Sequence, residues 1–233
     1  MEGRVARDPL AGGPTDVRGD PTAGETARSR FARPGESDGV TKILPITADP
    51  GPLGLAAFAL TTFVLSFFNS GLVSAKGEPV VLALALAYGG LAQLLAGMWE
   101  FRTGNTFGAT AFTSFGAFWL SFWAFDQFFA KEVSDKATLG NAIGLYLIAW
   151  GIFTAYMWVA SLRVSVAVSL VFLLLAVTFI LLGIGNAADN ADIVKAGGFV
   201  GIATAVVAWY ASFAAVTNST FGRIVLPVKE LKR

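Results

Sequence analysis

Hydroxyls and amides recur at helical spacing in several apolar stretches of this chain. In GNTFGATAFTSFGAFW, residues Gly104–Trp119, Thr106, Thr110 and Thr113 fall on one helical face, with Ser114 beside the last. Another apolar stretch places Phe58, Thr62, Ser66 and Asn69 at the same spacing, with Thr61 and Ser70 alongside. Gln93 and Glu100 lie seven apart and share a face of a third. Neutral donors of this kind have two uses inside an apolar wall. They hold neighbouring helices together, or they offer a polar solute a succession of weak contacts. Donors without full charge suit passage, because a bound solute must also leave.

The rest of the inventory closes off much of the remaining chemistry. The 233 residues include no Cys and no His. That removes disulfides, thiol catalysis, imidazole ligation and His-based proton relays. No phosphate loop, nucleophile with a base, or metal-spaced set of carboxylates is present. The expectation is a protein that is not an enzyme and holds no metal or cofactor. A net charge of +1 makes nucleic acid no obvious partner. Glu100 sits beside Arg102 at the end of its segment. It reads either as a proton-linked carboxylate or as an interfacial charge paired with Arg102.

The elements that must position these groups are membrane helices. Of the chain 55% is hydrophobic and only 14% charged, against about 25% charged in soluble domains. Residues 1–47 are polar and rich in Gly, Pro and Arg, and are expected to form a disordered cytoplasmic tail. No apolar core follows a charged start there, so the first span is expected to direct insertion. Six apolar segments follow within 48–220, at about 53–73, 80–99, 107–125, 139–161, 164–184 and 193–216, each near the ~20 residues needed to cross a bilayer. Residues 221–233 form a short C-terminal tail. The Lys and Arg distribution predicts both termini in the cytoplasm. Glycines four apart (104/108, 140/144, 197/201) and seven apart (90/97) predict close helix packing. DPGPLGL, Asp49–Leu55, reads as a helix start or as backbone N–H groups facing an anion. The six tryptophans mostly suit the interfacial belts.

Four motifs carry a resemblance: PGPLGL (Pro50–Leu55), YGGLAQ (Tyr88–Gln93), GNTFGATAFTSF (Gly104–Phe115) and FGRIVLP (Phe221–Pro227). Together, in this order, they resemble the acetate uptake transporter family, which includes the succinate–acetate permeases. The resemblance implies an all-α integral membrane protein of the plasma membrane. It implies six helices around a central pore, assembled as a homo-hexamer in lipid. It implies uptake of acetate, and in some members succinate, with protons. By motif register the family's apolar constriction falls on Phe58, Phe115 and Leu175. The chain departs at Phe115, where the family has Tyr, and at Asp49, where it usually has Asn. On this reading Thr61, Thr62, Gln93, Asn105, Thr106 and Thr110 meet the carboxylate, and the proton travels on the substrate as the neutral acid. The alternative is a channel for a small neutral solute or ammonia.

Overall fold

The computed structural model of the chain describes residues 47–229 and Leu231. All but the last residue of the expected N-terminal tail lies outside them. The membrane region belongs to the unit Pro45–Arg233. It contains α1 (Gly51–Asn69), α2 (Val80–Thr103), α3 (Thr106–Ala124), α4 (Lys136–Ser161), α5 (Val166–Ala187) and α6 (Ala191–Phe221). Five of these are long and apolar enough to cross a membrane. The sixth, α3, has 19 residues but is diluted by the glycines and hydroxyls of its stripe. At about 1.5 Å per residue, 19 residues still span close to 30 Å.

Local chemistry sets the ends. Pro52 occupies the first turn of α1, where a missing N–H is harmless, and the Gly51 N–H donates to Asp49 Oδ1 at 2.8 Å. The anion facing this helix start is therefore the chain's own carboxylate. Gly104 ends α2 in the left-handed region (φ 77°), which favours glycine. Asn105 then caps α3 by accepting from the Gly108 N–H at 3.1 Å. Asp135, Ser165 and Asn190 cap α4, α5 and α6 in the same way. A π turn over Ala87–Ala92 interrupts α2 at the YGGLAQ motif.

The helices run antiparallel in a ring ordered α4–α5–α6–α1–α2–α3, and α3 returns to α4. Small residues allow the close crossings. Gly97 lies against Thr113 and Gly116 against Leu94 between α2 and α3, while Gly144 lies against Gly183 and Ala187 between α4 and α5. Gly198 meets Asn69 and Ser70, and Gly201 meets Ser66, between α6 and α1. The seam between α3 and α4 is sparser and aromatic: Phe118 stacks on Tyr146 at 5.8 Å, and the Tyr146 and Ser121 hydroxyls are 2.7 Å apart. Beyond Gly222 the FGRIVLP segment folds back. Asn218 holds the Val225 and Leu226 N–H groups and the Leu226 carbonyl, and Tyr210 donates to the Pro227 carbonyl. The chain then accepts the Val166 N–H at the Lys229 carbonyl, tying α5 to the C-terminal segment.

Candidate functional site: a cavity above an aromatic constriction

A cavity of about 550 Å³ opens at the end of the ring that carries the α1–α2, α3–α4 and α5–α6 connections. Its mouth is polar, with Glu78 before α2, Asp126 after α3, Asn69 on α1 and Asn186 on α5. Hydroxyls follow inward: Ser66 and Thr62 on α1, and Thr178 on α5. The floor is apolar, formed by Phe58, Leu175, Phe179 and Phe118 with Trp119. Mouth-to-floor order follows from the helical register of α1, where Asn69, Ser66, Thr62 and Phe58 descend turn by turn.

The three residues expected at the constriction come together. Phe58, Phe115 and Leu175 are 5%, 3% and 4% exposed and share one core cluster. Phe58 and Phe115 meet at 5.9 Å. Phe115 also touches Phe153, Phe172, Phe179 and Trp150, at ring distances of 5.4 to 6.4 Å. Phe172, Leu175 and Phe179 lie on one face of α5, so Leu175 sits between two of the rings that hold Phe115.

The polar residues expected to meet a substrate are divided. Thr62 borders the cavity; the other five do not. Thr61 is fully buried, donates to the Ala57 carbonyl at 2.9 Å and packs against Gly89 of α2. Gln93 is buried, with its Oε1 unpartnered. Asn105 is a helix cap, Thr106 is exposed, and Thr110 donates to the Thr106 carbonyl at 2.9 Å. These last three lie at the opposite end from the cavity mouth, where α3 begins. Thr113 packs on Gly97 of α2, a helix-to-helix contact.

Glu100 shares that opposite end and is only 2% exposed. The Thr103 hydroxyl donates to its Oε2 at 3.1 Å and the Asn105 side chain also bonds to it, while Arg102 is exposed. A β-carbon at Gly51 would lie 3.0 Å from Asp49 Oδ1 and 3.5 Å from Glu100 Oε1, so two carboxylates flank the start of α1. At the mouth, burial and then the charge of Asp126 push the Glu78 carboxyl above its ordinary range. Sequence reasoning missed Glu78, Asp126, Ser121, Thr178, Phe179 and Trp119 as cavity residues. Trp119 and Trp150 also depart from the interfacial-belt expectation. Trp119 is buried in the core cluster and the half-buried Trp150 packs against it, where aromatic contacts outweigh the attraction of the interface.

A family model described as the GPR1/FUN34/yaaH family matches residues 40–233. Acetate permease A of Emericella nidulans is 45% identical over 195 residues, covering 78% of this chain and 65% of that protein. The succinate-acetate/proton symporter SatP of Escherichia coli K12 is 42% identical, covering 78% of this chain and 96% of that one. Ammonia transport outward protein 2 of Saccharomyces cerevisiae is 45% identical, covering 73% of this chain and 62% of that protein. The chain thus spans slightly under two thirds of these fungal relatives. A solved structure titled as the bacterial acetate channel SatP superposes with a TM-score of 0.72 at 40% identity, covering 78% of this chain and 99% of that chain. The matched model reaches from before α1 to the last residue, and the chain belongs to the GPR1/FUN34/yaaH family.

Proposed function

We propose that the protein carries acetate, and other short carboxylates such as succinate, across the plasma membrane through the centre of its six-helix ring. The observation that carries this reading is the cavity itself. Its wall grades from amides and carboxylates through hydroxyls to an apolar floor that includes Phe58 and Leu175, with Phe115 packed against Phe58. A short carboxylic acid has the matching polarity, with one hydrogen-bonding end and one methyl end. Names of relatives that transport or conduct acetate support the same reading.

In this reading the cavity mouth faces outward and both termini are cytoplasmic. Thr62 meets the carboxyl group above the constriction. Phe58, Phe115 and Leu175 exclude water and meet the methyl group. Thr61 and Gln93 stand behind them, and Asn105, Thr106 and Thr110 line the exit. Passing an anion through three apolar side chains costs far more than passing the neutral acid. The proton therefore travels on the substrate, with Glu100 placed to receive it at the exit. Six copies assemble as a homo-hexamer, each with its own path. The protein acts as a transporter and not as an enzyme.

Labelled acetate uptake into proteoliposomes, with and without an inward proton gradient, tests this. Saturable uptake that rises with the gradient is expected. No saturable uptake under either condition overturns the reading. The ammonia-transport name of one relative favours a second reading, passage of ammonia. Excess propionate separates the two: it slows labelled acetate if a carboxylate site exists.

A further inference from the structure

Ser121 of α3 and Tyr146 of α4 both line the cavity, and their hydroxyl oxygens are 2.7 Å apart. Ser121 is an exposed residue whose side chain ends one bond beyond Cβ, so its hydroxyl belongs to the surface it gives the cavity. The hydrogens of the pair can be followed. Each hydroxyl has one hydrogen and two acceptor lone pairs. Both reach the Phe118 carbonyl, Ser121 at 2.9 Å and Tyr146 at 3.2 Å. Two hydrogens thus have three acceptors inside the protein, the carbonyl and either hydroxyl oxygen. Any arrangement of these contacts commits both hydrogens. The Trp150 side chain also bonds to Tyr146, and an indole only donates, so it takes one of the tyrosine's acceptor sites. Ser121 accepts at most one bond from Tyr146, which leaves its oxygen a free lone pair.

We infer that Ser121 is a substrate-contacting residue: its Oγ accepts the O–H of an uncharged carboxylic acid in the cavity. This inference rests on the carboxylate reading above and names the protonation state held at this point of the path. An ionised carboxylate only accepts, and the hydroxyl pair has no uncommitted hydrogen to give it. The charged residues lining the cavity, Glu78 and Asp126, are both acidic and act in the same sense against an anion. Packing holds the acceptor in place. The Tyr146 ring stacks on Phe118 at 5.8 Å and meets Trp150 edge-on at 6.4 Å. Phe118 lies one turn deeper than Ser121 on α3, and so sets an apolar ring beneath the acceptor for the methyl end.

Acetamide and acetone test the acceptor at fixed pH. Both are uncharged and of similar size, but only acetamide has an N–H to donate. Labelling with 3-fluorotyrosine gives four ¹⁹F signals for the four tyrosines. The one absent from Tyr146→Phe is that of Tyr146, whose hydroxyl lies 2.7 Å from that of Ser121. Acetamide is expected to move it in a saturable way at roughly fivefold lower concentration than acetone, the gain of one net hydrogen bond. Ser121→Ala should abolish this preference and Ser121→Thr should restore it, whereas a merely structural role would weaken both ligands alike. Equal half-saturation in the wild type, no movement with acetamide, or movement by ammonium alone overturns the acceptor. Labelled acetate uptake is measured on the same preparation. If the wild type takes up acetate without preferring acetamide, the acceptor falls and the transport reading stands. If it takes up no acetate but prefers acetamide, the transport reading fails and the acceptor stands.

Discussion

Phe58 of α1, in the cavity floor, and Phe115 of α3 place their ring centroids 5.9 Å apart at an interplanar angle of 48°. Phe115 is braced by Phe153 edge-on and by Phe179 nearly parallel. On the transport reading, a pair packed this way closes the path by side-chain bulk.

Trimming that bulk should widen selectivity. Phe58→Ala and Leu175→Ala are each expected to admit lactate, a bulkier acid, alongside acetate. Each also leaves a void that costs about 2–5 kcal/mol of stability, so thermal unfolding is measured in parallel. Competition of unlabelled lactate against labelled acetate gives the answer. Unchanged selectivity in both folded variants would place the constriction elsewhere.

Phe115→Tyr adds one hydroxyl beside Phe58 and restores the residue that the family resemblance implies at this position. A donor at this point offsets part of the cost of moving a polar group past three apolar side chains. Initial acetate uptake is expected to rise roughly fivefold, the equivalent of one net hydrogen bond. A slower or equal rate would mean that the ring packing, and not its polarity, limits passage.

Glu78 gives the mouth a pH dependence. Its carboxyl lies above the ordinary range, first through burial and then through Asp126. The folded state therefore holds this proton more tightly than the unfolded chain does. Stability falls as pH rises from the ordinary glutamate value, about 4.3, toward the raised one. Glu78→Gln should be the more stable protein at pH 7, with the advantage vanishing below pH of about 4. Loss of the charge should also flatten any increase in acetate uptake on mild acidification. Melting curves and uptake at matched acid concentration across pH 4–7 check both signs.

Gly198 on α6 lies against the α1 backbone. A methyl group there would come within 2.7 Å of the Asn69 carbonyl carbon and Ser70 Cα. Backbone cannot rotate aside as a side chain can, so Gly198→Ala must part the two helices. The expected loss is about 1–3 kcal/mol, read as a lower unfolding temperature in detergent. An unshifted midpoint would show that α1 and α6 have slack at this crossing.

Much of the architecture was legible from residues alone. The six apolar runs locate the six helices, although α6 extends five residues beyond its expected end because nothing breaks it before Gly222. Phe58, Phe115 and Leu175 come from the register of the resemblance, and the structure puts all three in one buried cluster. The hydroxyl stripe of α3 was harder. Its spacing correctly shows a shared face, but Thr113 turns that face toward Gly97. Periodicity shows that a face is interior; it does not distinguish a neighbouring helix from a lumen, since both accept small polar groups. Trp119 was hidden for a related reason. A tryptophan near a helix end fits the membrane surface equally well until its neighbours are known. Glu78 lies in a connection, where no period exists to assign it a direction.

The α3–α4 seam has one more consequence. Every other neighbouring pair in the ring sets a glycine against the facing helix, whereas this joint is held chiefly by rings and one hydroxyl pair. Phe115 and Phe118 belong at once to the joint and to the plug, because both touch Trp150 of α4. On the transport reading, a fault line that shares its rivets with the closure makes the two mechanically one. Because the ring is closed, sliding α3 along α4 would also shear the Gly97–Thr113 and Gly116–Leu94 contacts that bind α3 to α2.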